Sequence, residues 1–127
     1  ILCEQGFTRA RLLQNGILEL HNAIGHLLLL SLIEAGFLPH ENIPWNFSRF
    51  DLGRVNPSGG LLSGHPLAAT FPSLLHFCRL QLLGQAGSIQ VPNVDSALIQ
   101  SIWGLRDRMS VSLLCRSFSS IAESYLD

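Results

Sequence analysis

The residues of this chain best placed to do chemistry lie in one stretch, Arg54–Thr70, RVNPSGGLLSGHPLAAT. An Asn-Pro turn, the Gly59-Gly60 pair and Gly64-His65-Pro66 follow one another there. The paired glycines have access to backbone angles closed to other residues and let a ligand come close to the main chain. His65 stands just before Pro66, and proline is favoured at the first position of a helix, where its missing N–H costs nothing. An imidazole so placed lies beside the free N–H groups and positive end of a helix. Such surroundings suit a developing anion and weaken the ring's hold on a proton. The other candidate groups point elsewhere. His40 and His76 give no metal-ligand spacing, and His26 lies on a helix made largely of leucine, where a histidine belongs to a core or an interface. Cys3, Cys78 and Cys115 form no CxxC pair and no even framework, which favours a reducing compartment; Cys78 reads as a small packing residue.

The elements that must position these groups follow in order. Ile1–Asn15 reads as a short helix interrupted at Gly6, and Asn15-Gly16 is a turn signal. Ile17–Leu20 is a short strand with His21 and Asn22 at its end, and Asn22 is placed to cap a helix that runs to Ala35 and stops at Gly36. Leu27–Leu30 puts leucine on every side of that helix, so it must be buried on more than one face. Pro39–Phe50 is a loop whose Trp45 and Phe47 pack on an apolar surface. A second apolar helix starts near Pro72, after an irregular lead-in over His65–Phe71, and ends at Gly84 and Gly87. Ser96–Trp103 and Ser110–Arg116 are strands joined by a hairpin-like loop, Gly104–Met109, and Phe118–Tyr125 forms a last helical turn. Helix, strand, helix, loop, helix, strand, strand is an α/β layout.

Composition bounds the rest. With 127 residues the chain fits one domain with a real core. Hydrophobic residues make up 47% and charged ones only 13%, a balance that asks for a partner over some apolar surface. Net charge is −1, every basic residue is Arg and no basic run alternates with aromatics, which argues against nucleic acid. The longest apolar run, Ala23–Leu38, contains His26 and Glu34 and is too short to span a bilayer. The sequence opens on Ile1 without Met, as a fragment, a processed chain or an incomplete record would.

Asn56-Pro57-Ser58-Gly59-Gly60, then Gly64-His65-Pro66, then Ala69-Thr70 resemble the histidine loop of the thiolase superfamily, especially its sterol-carrier-protein-x and lipid-transfer-protein-like branch. Glu19-Leu20-His21-Asn22-Ala23 is similar to that family's His-Asp-Ala-Phe or Asn-Glu-Ala-Phe motif. Gln81–Gly87, followed by Gln90-Val91-Pro92, is similar to the Gln-Leu-Arg-Gly-x-Ala-Gly segment that closes the next helix. The match runs from about Ile17 to Cys115 and concerns only the C-terminal part of a thiolase. It implies a single thiolase C-terminal-like domain over residues 1–127, truncated on its N-terminal side. The implied architecture is part of the C-terminal half of the fold, a mixed sheet with buried central-layer helices.

The resemblance further implies a 3-ketoacyl-CoA thiolase type of acyltransferase, to which this chain contributes the histidine loop. A nucleophilic Cys would come from a complementary N-terminal half. By position His65 would activate that Cys, His21 would serve the thioester oxyanion, and Asn22 stands where the family has an acid. Asn56, Ser58, Gly59, Gly60 and Gly64 are the implied substrate-binding positions. Coenzyme A thioester is the implied substrate, with no further cofactor and no metal. The implied partner is the complementary half or a second copy of the chain, together with an OB-fold acyl-CoA-binding protein of the kind that branch pairs with. The implied location is the cytoplasm, with the peroxisomal or mitochondrial matrix as alternatives. A reading from another class is a non-catalytic thiolase-derived scaffold or acyl-binding partner.

Four departures from the family pattern bear on the choice. The N-terminal half with its nucleophile is not in the sequence. Only Leu61, Leu62 and Ser63 separate Gly60 from Gly64, one residue fewer than in the motif. Ala68 and Phe71 replace glycines in a region where small residues leave room for a pantetheine arm. Trp103–Met109 carries no Cys-x-Gly, and Cys115 lies too far along the strand to replace it. The chain alone is therefore not expected to run the two-step reaction.

Overall fold

A computed structural model of the chain describes residues 9–23, 25–34, 37–38, 51–62, 64–103 and 108–116. Six elements organise it: α1 (Arg9–Asn15), β1 (Gly16–Glu19), α2 (Gly25–Glu34), α3 (Thr70–Leu83), β2 (Ser96–Trp103) and β3 (Arg108–Cys115). The strands form one mixed sheet in the order β1-β2-β3. β1 runs parallel to β2, with Gly16 opposite Ser96 and Glu19 opposite Ile99. β2 and β3 are antiparallel, from Ser96 opposite Cys115 to Trp103 opposite Arg108. Parallel neighbours need a long crossover, and here α2, the histidine loop and α3 all lie between β1 and β2.

Strand side chains alternate between faces, and the two cores follow that alternation. Ile17, Ala97 and Ile99 face Leu74, Cys78 and Leu82 of α3, with Val91 and Val94 beside them. Leu18, Leu20 and Leu98 face the other way, onto Leu12 of α1, Leu32 of α2 and Leu38. The sheet is thus a middle layer between α3 and the α1–α2 pair. The described chain is α/β, as the order of elements predicts, with the mixed sheet that the resemblance implies.

Helix α3 begins at Thr70, two residues before the expected start at Pro72. Pro72 falls in the first turn, where backbone N–H groups have no intrahelical acceptor, so the ring breaks nothing. Pro66 does not open a helix. It precedes a 3-10 turn, Leu67–Ala69, whose first residue has a left-handed φ of 49°. Thr70 Oγ donates back to Leu67 O at 2.7 Å, closing that turn onto α3. At the other end Gly84, φ 70°, ends α3 in the left-handed conformation with N–H bonds to Leu80 and Gln81 carbonyls.

Asn22 does not cap α2, which starts three residues later. Leu27, Ser31 and Leu32 of α2 are buried and Leu28–Leu30 half-buried, while His26 is exposed instead of lying in the core. The outward side of α3 carries Leu75 and Leu83 to solvent. β3 starts at Arg108, two residues before the expected Ser110. The expected aromatic loop Pro39–Phe50, the turn around Gly104 and the terminal helix at Phe118–Tyr125 lie outside the described residues.

Candidate functional site

The site forms where the end of β1 meets the turn that follows Val55. Val55 forms a parallel bridge with Leu18, and the Asn56 N–H donates to Leu18 O at 2.7 Å. Asn56 takes a left-handed φ of 49°, a conformation its short polar side chain tolerates. Its Oδ1 accepts the Leu20 N–H at 2.6 Å. Gly59 N–H donates to Asn56 O at 2.9 Å, closing a turn with Pro57 at its second position. Arg54 anchors the entry to this turn, donating to the Gly16 carbonyl at 3.3 Å and the Pro92 carbonyl at 3.0 Å.

Three side chains of the 19–22 segment then hold or face the loop. Glu19 is fully buried, and its two carboxylate oxygens accept the Ser58 N–H at 3.0 Å and the Ser58 hydroxyl at 2.8 Å. The Ser58 hydroxyl in turn accepts the Gly60 N–H at 3.0 Å. Asn22, also buried, accepts the Leu61 N–H on its Oδ1 at 2.6 Å. Gly60 has φ 60°, and a Cβ there would overlap the Asn22 carboxamide. The glycine is required by both the angle and the close approach.

His21 and His65 meet between the segment and the loop. Their ring centroids lie 5.6 Å apart, with the planes at 85°, an edge-to-face contact. His21 is 6% exposed, whereas His65 is open to solvent. The Ile102 N–H donates to His21 Nδ1 at 3.4 Å, which leaves the neutral ring's proton on Nε2. Burial, and secondarily the charge His65 can carry, holds the His21 pKa below its usual value. The pair therefore offers a neutral donor at His21 and an accessible acid–base group at His65.

His65 borders an open cleft of about 480 Å³, walled by Ser58, Gly60, Leu61, Ser73 and Phe77. Gly64 also lines it. Neither Ala68 nor Phe71 does: Ala68 is exposed, and the Phe71 ring packs on the α3 core instead. Asn22 stands behind the wall as a tie for Leu61. Asn56 ties Leu20 and borders a separate cleft of about 510 Å³ with Asp51, Ser88 and Gln90. Among the described residues no three His, Cys, Asp or Glu side chains cluster as a metal site.

Sequence reasoning did not assign Glu19 a role. Its signal was a lone carboxylate in the apolar run Ile17–Leu20, on a strand that has no exposed face. Burial raises its pKa to about 7, while the two bonds from Ser58 pull it back. Cys78, buried in α3, has its thiol pushed up by burial and by Glu19, and is no nucleophile.

The model of the family described as thiolase C-terminal domain-like matches residues 3–116. Human sterol carrier protein 2 is 34% identical over 115 residues, covering 86% of this chain and 21% of the relative. The rabbit and rat proteins of that name are each 42% identical over 72 residues, covering 56% of this chain and 13% of theirs. The chain thus spans about a fifth of the human relative's length and a smaller part of the other two. No solved structure matches it significantly. With every described residue inside the matched range, the protein belongs to the thiolase C-terminal domain-like family.

Proposed function

We propose that this chain supplies the histidine loop of an acyl-CoA acyltransferase of the 3-ketoacyl-CoA thiolase type, assembled with a thiolase N-terminal half that carries the nucleophilic Cys. The observation that supports this most is the edge-to-face contact of His21 and His65 at the rim of the cleft. In the acyl-transfer step His65 takes the thiol proton of the incoming Cys, and the thiolate adds to the thioester carbonyl carbon. The carbonyl oxygen gathers charge, which the His21 Nε2–H meets. The bond to the coenzyme A sulfur then breaks, and His65 returns the proton to that leaving sulfur. His21 suits the donor role because burial keeps it neutral. The exposed Leu75 and Leu83 of α3 favour a protein partner over that helix, whether the complementary half or a second copy. An OB-fold acyl-CoA-binding protein and a cytoplasmic or organellar matrix setting complete the proposal. No helix of the described residues is long and apolar enough to cross a membrane.

A second reading, a thiolase-derived scaffold without catalysis, is favoured by the inward use of Asn22, whose carboxamide oxygen already holds Leu61. Reconstitution separates the two. The chain is mixed with a Cys-bearing thiolase N-terminal half and acetyl-CoA, and acyl transfer to that Cys is read by intact mass. A stable complex that carries no acyl group under turnover conditions overturns the catalytic reading and leaves the scaffold.

A further inference from the structure

We propose that Glu19 is the positioning residue of the histidine loop: its ionised carboxylate fixes Ser58 through both the N–H and the hydroxyl, and the loop loosens when that carboxylate takes up a proton. This rests on the same loop as the proposed function but not on catalysis by it.

The geometry carries the inference in a relay. The Gly60 N–H donates to Ser58 Oγ, and the Ser58 hydroxyl and N–H donate to the two separate oxygens of Glu19. Both carboxylate oxygens accept from Ser58 in this pattern, and the ionised form, an acceptor at each oxygen, serves it best. A proton on Oε2 makes that oxygen the donor, so the Ser58 hydroxyl must turn and find another acceptor. A proton on Oε1 displaces the Ser58 N–H. Either way Glu19 loses a charge-assisted hold on Ser58, whose hydroxyl oxygen in turn holds the Gly60 N–H, and Gly60 lines the cleft and packs against Asn22. The relay thus links the protonation of a fully buried side chain on β1 to the backbone that walls His65.

The titration lies in a useful range. Burial drives the Glu19 pKa up and the Ser58 bonds drive it down, leaving it near 7. The titratable groups around it are few among the described residues. Cys78 on α3 stays a neutral thiol, because burial and Glu19 both push its pKa up. His21 lies two residues along the same segment, with its pKa lowered, and His65 stands against His21.

Hydrogen–deuterium exchange of the full chain, in whatever assembly it forms, tests this across pH 5–9 after correction for intrinsic exchange. The expected result is that protection of a peptide spanning Asn56–Leu62 falls as pH drops, with a midpoint near 7, while a peptide spanning Gln81–Val91 holds constant. Glu19→Gln should abolish the pH dependence. Ser58→Ala, which keeps the N–H but removes the hydroxyl, should move the midpoint to higher pH, because one bond that favours the ionised form is gone. A flat wild-type profile, a midpoint that survives in Glu19→Gln and so belongs to a histidine, or an unshifted midpoint in Ser58→Ala each overturns the proposal. If Glu19→Gln does not fold, the wild type and Ser58→Ala decide. Failure of acyl transfer in the reconstituted complex leaves this outcome untouched.

Discussion

His65 presses its ring edge to face on His21, 5.6 Å between centroids, and only one of the two is exposed. Two imidazoles this close resist carrying a charge together, so protonation of one lowers the pKa of the other. Burial is the larger cause of the depressed His21 pKa and the His65 charge the smaller. Replacing His65 by Ala should therefore raise the His21 pKa without restoring it to the ordinary value of 6.5. Histidine ring chemical shifts against pH provide the measurement, and an unchanged His21 midpoint would show that the contact carries no coupling.

In the reconstituted complex the same variant should lose on the order of 10²–10³ in acyl-transfer rate while assembling normally. His76 is exposed on α3 and is not among the cleft residues, so His76→Ala should change little. Equal losses from the two substitutions would deny His65 any special role.

Gly60→Ala and Gly64→Ala form a matched pair. At Gly60 the backbone has φ 60° and a new Cβ meets the Asn22 carboxamide, so alanine should cost more than about 1 kcal/mol and free the Leu61 N–H from Asn22. At Gly64 a Cβ finds nothing within 4 Å, and alanine should shift stability by less than about 0.5 kcal/mol. Denaturant midpoints compare them, and a neutral Gly60→Ala would count against the described loop.

Much of this arrangement was legible in the residues. Period-2 alternation placed β2 at its observed bounds, and Gly84 marked the end of α3. What escaped did so for physical reasons. Arg108 looks like a loop residue, but pairing opposite Trp103 extends β3 to include it. Phe71 was expected in the substrate region, yet Phe71, Leu74, Cys78 and Leu82 recur at helical spacing and share the α3 core. Pro72 drew the helix start to itself, although the first turn tolerates proline at more than one position. Asn22 has the chemistry of a cap, and only the fold shows its carboxamide spent on Leu61 across the site. Glu19 is the largest omission: its place inside the strand was visible, but its bonds to Ser58 depend on a turn 39 residues away.

Glu19 also gives the fold a pH signature. Its folded-state pKa of about 7 lies above the ordinary 4.5, so the folded chain binds this proton more tightly than the unfolded one. The stability it contributes is fully present below 4.5 and is lost as pH rises to about 7, a change on the order of 3 kcal/mol. His21, with a depressed pKa, works in the opposite direction below 6.5. The difference in unfolding free energy between wild type and Glu19→Gln isolates the glutamate. It should shift in favour of the variant as pH rises from 4.5 to 7 and then level off. A pH-independent difference would mean that Glu19 is ionised throughout that range. Global stability and the local hold on Ser58 thus change with opposite sign, because ionising a buried carboxylate costs solvation while it strengthens the bonds it accepts.

The last expectation concerns the surface. Leu75 and Leu83 lie two turns apart on α3, with the exposed Arg79 between them, at 37% and 50% exposure. Leu62 and Leu67, on the turns at either side of His65, are 69% and 73% exposed. Fully burying a leucine is worth roughly 1.5–3 kcal/mol, so these side chains together can drive association once a complementary surface is present. The chain on its own should therefore bind a hydrophobic dye and self-associate, and a thiolase N-terminal half should suppress both. Leu75→Gln with Leu83→Gln should weaken dye binding and self-association while changing the unfolding midpoint little, because neither residue belongs to the described cores. Light scattering and dye fluorescence over a concentration series read both effects. A dilute-to-concentrated series that stays monomeric and dark would show that α3 needs no cover, and would remove the support its outward leucines give to a partner.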